Sequence, residues 1–101
     1  MGTVISPWIV TLEALEPFRV ALPEPKKPFM DYLKDPSYSS FDINLEVFFK
    51  LNGKPEEHKL ATSNYKYLYW SMAQQLTHHT VTGCNLRTGD LFGSGTPIFI
   101  F

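Results

Sequence analysis

The chain has one cysteine, Cys84. No internal disulfide can form, so a small secreted fold held together by staples is excluded. Charge of one sign never accumulates: Lys26-Lys27 and Glu56-Glu57 are the longest like-charged runs, and the formal net charge is −1. That argues against a nucleic-acid partner, which needs a basic face. No stretch approaches the roughly 20 apolar residues of a membrane span, so no membrane partner is expected. The opening residues, MGTVISPWIV, lack a basic region followed by a long apolar run, and a cytoplasmic setting is the default expectation. They do fit the short pattern for N-myristoylation at Gly2, with Ser6 in place, a pattern that often matches by chance. Internal repeats, HExxH, a nucleophile elbow and GxGxxG are all absent from the sequence.

What the chain does have is aromatic surface. Eight Phe, five Tyr and two Trp make up 15% of its 101 residues, and they need cover in a core or against a partner. A single domain of this length buries only about two thirds of its unfolded surface, so marginal stability is expected. Residues 3–12, TVISPWIVTL, are β-branched and aromatic and read as extended, with Pro7 confining the first half to a sheet edge. EALEPF, 13–18, reads as one helical turn ended by Pro17. Residues 17–40 carry five prolines and read as a long surface excursion with little regular structure.

Residues 41–51, FDINLEVFFKL, alternate with a period of two: Phe41, Ile43, Leu45, Val47, Phe49 and Leu51 form one face. This predicts a strand with a buried side and a mostly wet side. Asn52-Gly53 suits a type I′ turn, and HKLATS, 58–63, is the expected return strand. In 65–80, Tyr65, Leu68, Tyr69, Met72, Leu76 and His79 recur at intervals of three and four. That spacing predicts one main helix, capped by Ser63 or Asn64 and ended near Gly83. The fold class is α+β, with more sheet than helix.

The reactive letters crowd into residues 77–96, THHTVTGCNLRTGDLFGSGT. His78 and His79 diverge by about 100° on a helix and do not share a metal, which wants a spacing of three or four. His79 is expected to pack or bond inward; His78 caps the helix or faces solvent. Cys84 has no CxxC partner and no fixed orienting group, and reads as a structural thiol. GSGT lacks the lysine and following helix of a P-loop, though a tight turn bringing backbone and a Thr hydroxyl to a ligand stays open. Asp42 and Glu46 lie about 13 Å apart on one strand face, too far to cooperate.

As strings the residues say more. GTVISPWIVTLEALEPF, FDINLEV and SNYKYLYWSMAQQLTHHTVTGCNLRTGDLFGSGT resemble the carboxy-terminal catalytic domain of the fumarylacetoacetate hydrolase family, from Gly2 to Thr96. The block from Ser63 to Thr96 carries the resemblance most specifically. It implies a mixed β-roll, a homodimer, and hydrolysis of a carbon–carbon bond. Fumarylacetoacetate is split into fumarate and acetoacetate at the end of tyrosine catabolism. It also implies a divalent ion, Mg²⁺ or Ca²⁺, held mainly by carboxylates and polarising the substrate's oxygens, and a His–Glu pair that activates water.

Residue by residue the resemblance assigns two positions. Thr3, in the GT-ISPW motif, corresponds to a magnesium-binding residue, and Thr96, of SGT, to one that contacts substrate. The family's metal-binding carboxylates, catalytic histidine and ion-associated lysine match sequence lying before residue 1. Its catalytic glutamate follows SGT-SG, where this chain turns to PIFIF. Asp42, Glu46, His78 and His79 match family positions that are not catalytic. The expectation is therefore a partial domain, residues 1–101, truncated at both ends and departing from the family at 97–101. It would carry no catalytic residue and be inactive alone. The alternative is a non-catalytic interaction module whose aromatics dock on a full-length subunit or another partner.

Overall fold

The computed structural model describes residues 2 and 4–95. Thr11 opens the first regular element by accepting a hydrogen bond from the amide of Ala14, which starts helix α1, Leu12–Leu15. Pro17 does not end the turn. It sits in the first positions of a 3-10 turn, Glu16–Phe18, where its missing amide proton leaves no bond unmade. The segment before α1 joins no strand ladder among the described residues, and Val4, Trp8 and Ile9 are exposed.

The proline-rich excursion is more ordered than its composition suggests. Strand β1, Arg19–Ala21, pairs antiparallel with β2, Ser39–Phe41, so both ends of the excursion are tied together. Arg19 secures the junction. Its guanidinium donates to both Glu16 carboxylate oxygens at 2.7 Å and to Ser39 Oγ at 2.6 Å, and lies 4.8 Å from the centroid of Phe41. Between the strands, a 3-10 turn at Asp31–Leu33 turns Leu33 inward. Phe29 packs against Tyr38, Tyr69 and Trp70 at centroid distances of 5.0, 6.2 and 5.6 Å. Prolines predict loss of regular backbone, not loss of contact. The excursion supplies Leu22 and Leu33 to a core completed, among the described residues, by Phe41 and Ala61.

The long strand is shorter than its alternation implies. Strand β3 is Asn44–Lys50, paired antiparallel with β4, Glu57–Asn64. Phe41 belongs to β2, in a different sheet. Alternating burial holds from Phe41 to Leu45 and then stops; Val47, Phe48 and Phe49 are all exposed. The reason is architectural. A sheet of two strands buries a face only where another element covers it, and cover exists only at the base, where Ala61, Ser63 and Asn64 are buried. A register shift compounds this: Val47 faces Ala61 but Phe48 faces Lys59, leaving Leu60 as the extra residue of a β-bulge. At the tip, Lys54 donates to the Leu51 carbonyl at 3.1 Å. Of the two central residues only Gly53 has positive φ, at 76°. That is the pattern of a type II turn rather than the predicted type I′.

The predicted helix over 65–80 splits. Asn64 does cap, but it caps a 3-10 turn, Tyr65–Tyr67, by accepting from the amide of Lys66. The backbone is extended again at Leu68. Helix α2 runs from Met72 to Thr80 behind a capping box: Ser71 Oγ accepts from the Gln74 amide while Gln74 Oε1 accepts from the Ser71 amide. Gln74 is buried and its Nε2 donates to the Leu33 carbonyl at 2.8 Å, docking α2 on the excursion. Together these elements form a mixed α+β arrangement of two small antiparallel sheets and two helices. It is extended for its length: the Cα radius of gyration is 16.4 Å, against about 13 Å for a closed domain of about 100 residues.

Candidate functional site

The last turn of α2 sends its two histidines apart. His78 Nδ1 lies 3.1 Å from the Tyr32 hydroxyl, with the two rings stacked at 6.3 Å. His79 Nε2 lies 3.4 Å from Cys84 Sγ, and its ring meets Phe92 edge-on at 4.9 Å. Each imidazole has a different partner, as their 100° divergence requires. Both are exposed, so His79 bonds locally rather than into a core. Cys84 is also exposed. It does have an orienting group, which a search for sequence motifs misses because the partner is on the helix and the thiol is beyond its end.

The glycine-rich loop lies between two clefts that share Phe92. One, of about 280 Å³, is lined by Tyr65, Met72, Gln75, Leu76, Phe92 and Ser94. Burial pushes the Tyr65 hydroxyl up from its ordinary value, outweighing a bond with Gln75 that acts the other way. The other, of about 380 Å³, is lined by His79, Asp90, Leu91, Phe92 and Gly93. Gly95 has φ of 80°, a left-handed backbone that a residue with Cβ resists. Gly93-Ser94-Gly95 thus turns tightly beside an aromatic-walled cleft, and Ser94 lines it. Thr96 and Thr3, the residues assigned to substrate and magnesium, both lie outside the described residues.

The carboxylates of the strand region do not converge. Asp42 accepts from Lys66 Nζ at 3.0 Å through both oxygens and from Asn64 Nδ2 at 2.6 Å, while Glu46 pairs with Lys59 at 3.0 Å. Lys66 first, then Asn64, holds the Asp42 carboxyl below the usual aspartate value. Asp35 is tied by Ser71, Ser37 and nearby amides; burial pushes it up, but those donors leave it lowered. Among the described residues no three His, Cys, Asp or Glu side chains come together. A hard divalent cation asks for about six oxygen ligands, and the described donors do not fit such a site. Among them, too, no helix is long and apolar enough to cross a membrane.

Comparison with known proteins agrees with the residue blocks. Residues 1–98 match the family described as fumarylacetoacetate (FAA) hydrolase C-terminal. The chain is 52% identical over 95 residues to a fumarylacetoacetase of Arabidopsis thaliana, covering 94% of this chain and 23% of that protein. It is 50% identical over 95 residues to those of Dictyostelium discoideum and Homo sapiens, covering 22% and 23% of them. The chain therefore spans less than a quarter of the length of these curated relatives.

Proposed function

The chain belongs to the FAA hydrolase C-terminal family, and on that premise we propose that it is a section of a fumarylacetoacetase-type hydrolase. The complete enzyme would split fumarylacetoacetate with water into fumarate and acetoacetate, the last step of tyrosine catabolism, as a cytoplasmic homodimer. The observation that carries this reading is identity near 50% sustained over 95 residues. In it, residues 1–101 are part of one β-roll domain, with 97–101 departing from the family pattern. The two-stranded β3–β4 sheet, bare beyond its base, supports a roll completed by strands from elsewhere.

Within that reading Thr96 contacts substrate and Thr3 contributes to cation binding. Mg²⁺ or Ca²⁺ would polarise substrate oxygens when bound. Its carboxylate ligands, like the His–Glu pair, would come from outside this chain, and residues 1–101 would not turn over substrate by themselves. The test has two arms. The purified chain is assayed with fumarylacetoacetate and Mg²⁺, where no turnover is expected. Residues 1–96 are then exchanged into a complete relative, where activity is expected to survive and to fall at least tenfold with Thr96→Val. Turnover by the isolated chain, or a dead chimera that folds, overturns the proposal.

A second reading has its own observation. Phe48, Phe49 and Leu60 are 53%, 46% and 52% exposed on the hairpin, surface that suits docking on another subunit. A non-catalytic module of this kind would shift the elution of a complete fumarylacetoacetase on size exclusion without adding activity.

A further inference from the structure

Where the 3-10 turn at Asp31–Leu33 meets α2, the two elements leave a cavity of about 270 Å³. Leu33 and Gln74, both buried, line its base; Met30, Tyr32, Trp70 and His78, all exposed, line its sides. The sides are held in place. Tyr69 meets Trp70 edge-on at 4.9 Å and Phe29 packs on it at 5.6 Å, while Tyr32 stacks on His78 with 17° between the rings. Most polar atoms of the lining are spent inside the fold. Gln74 Nε2 donates to the Leu33 carbonyl, Gln74 Oε1 accepts the Ser71 amide, and Gln75 Nε2, also at the cavity, donates to the Trp70 carbonyl. One polar end stands out, where the Tyr32 hydroxyl and His78 Nδ1 lie 3.1 Å apart. An apolar cavity of about 150 Å³ takes a benzene ring, so this one has room for two fused rings.

We propose that the cavity binds neutral two-ring aromatic compounds that carry a hydroxyl group. The rings lie against Trp70, Met30 and Leu33, and their apolar area leaves water. The hydroxyl meets the Tyr32–His78 pair, which has two neutral states. When Tyr32 donates to Nδ1, the second ring nitrogen carries the hydrogen and donates. When Nδ1 donates to Tyr32, the second ring nitrogen accepts and Tyr32 keeps a hydrogen to give. A hydroxyl both donates and accepts, so it satisfies either state. A plain hydrocarbon satisfies neither and leaves the pair short of a partner when it covers it. An anion is disfavoured as well, because His78 sits in the last turn of α2, at the negative pole of the helix.

The whole chain at about 5 μM, below most of the range where its hairpin is expected to associate, is titrated with 6-fluoro-2-naphthol, 2-fluoronaphthalene and 6-fluoro-2-naphthoate. Fluorine NMR relaxation of each compound reads its binding. The naphthol is expected to bind with a Kd below about 1 mM, the scale for about 12 non-hydrogen atoms. It should bind about fivefold more tightly than the other two, the worth of about one hydrogen bond. His78→Phe keeps a ring beside Tyr32 and removes both nitrogens. It is expected to bring the naphthol down to the affinity of the hydrocarbon and to leave the hydrocarbon unchanged, which also shows that the cavity is intact. Met30→Ala removes a wall and is expected to weaken naphthol and hydrocarbon alike by about threefold. Phe48→Lys, on the exposed hairpin, is expected to alter neither. A hydrocarbon that binds as tightly as the naphthol, as unselective apolar surface would hold it, overturns the proposal. So does unchanged binding in Met30→Ala, or loss of binding in Phe48→Lys. Naphthol binding unchanged in His78→Phe, or weakened there equally with the hydrocarbon, overturns the role given to the Tyr32–His78 pair. Naphthoate bound as tightly as naphthol overturns the selection for neutral compounds.

Discussion

Ser71 donates its hydroxyl to Asp35 Oδ2 at 2.6 Å, across 36 positions of sequence. Ser71 Oγ also accepts the Gln74 amide at 3.2 Å, so one side chain both starts α2 and ties it to the proline-rich excursion. The tie explains why the helix begins at Met72. The apolar spacing from Tyr65 onward is compatible with a longer helix, but a Ser-x-x-Gln capping box and a carboxylate held opposite it fix a later start.

Ser71→Ala removes the cap and leaves Asp35 without one of its donors. A loss of about 1–2 kcal/mol is expected, at the upper end of the usual effect of removing a cap. Urea denaturation followed by far-ultraviolet circular dichroism measures it; an unchanged midpoint would show that α2 is held by packing alone.

Acid should weaken the fold. Asp42 is lowered by Lys66 and Asn64, and Asp35 is lowered net of its burial, both from an ordinary value of 3.8. A carboxylate depressed in the folded state contributes stability that is present above its unfolded value and lost as pH falls through the folded one. Melting temperature is therefore expected to hold through neutral pH and to decline below about pH 4. Asp42→Asn should flatten part of that decline. A melting temperature that rises on acidification would contradict the assignment.

Gly53 has open space around it, so an added Cβ meets nothing. Its φ of 76° is the obstacle. Gly53→Ala is expected to cost about 1 kcal/mol, from the left-handed backbone alone. Gly93→Ala, at a glycine that also has open space but no positive φ, should be close to neutral. Amide hydrogen exchange across β3 and β4 distinguishes the two: faster exchange only in Gly53→Ala is expected.

The tip of the β3–β4 hairpin carries Phe48, Phe49 and Leu60 in solvent, next to strand edges whose backbone groups are open to pairing. Concentration-dependent association is expected between 5 and about 200 μM by light scattering coupled to size exclusion, the upper figure being within the range where such edges pair. Phe48→Lys with Leu60→Lys should keep the chain monomeric over that range. Association of equal strength in the double variant would place the contact elsewhere, with exposed Trp8 and Ile9 the next apolar surface to change.

By itself the sequence determined what local chemistry can determine. Asn52-Gly53 had to turn; the alternation before it and the polar run after it had to pair as a hairpin; the two histidines had to diverge; the residue blocks identified the family. Those outcomes depend on neighbours a few positions apart or on letters alone. Tertiary structure decided the rest. Whether the alternating face of β3 was buried depended on what lay over it, and beyond Leu45 little does. The prolines of 17–40 fixed backbone angles but did not reveal that Arg19 would grip Glu16 and Ser39, or that Leu33 would turn inward. The helix start was set by Asp35, and the partner of Cys84 by a reversal at Gly83. Contacts between distant positions carry no periodicity to read, because they arise only when the chain folds back and two surfaces meet.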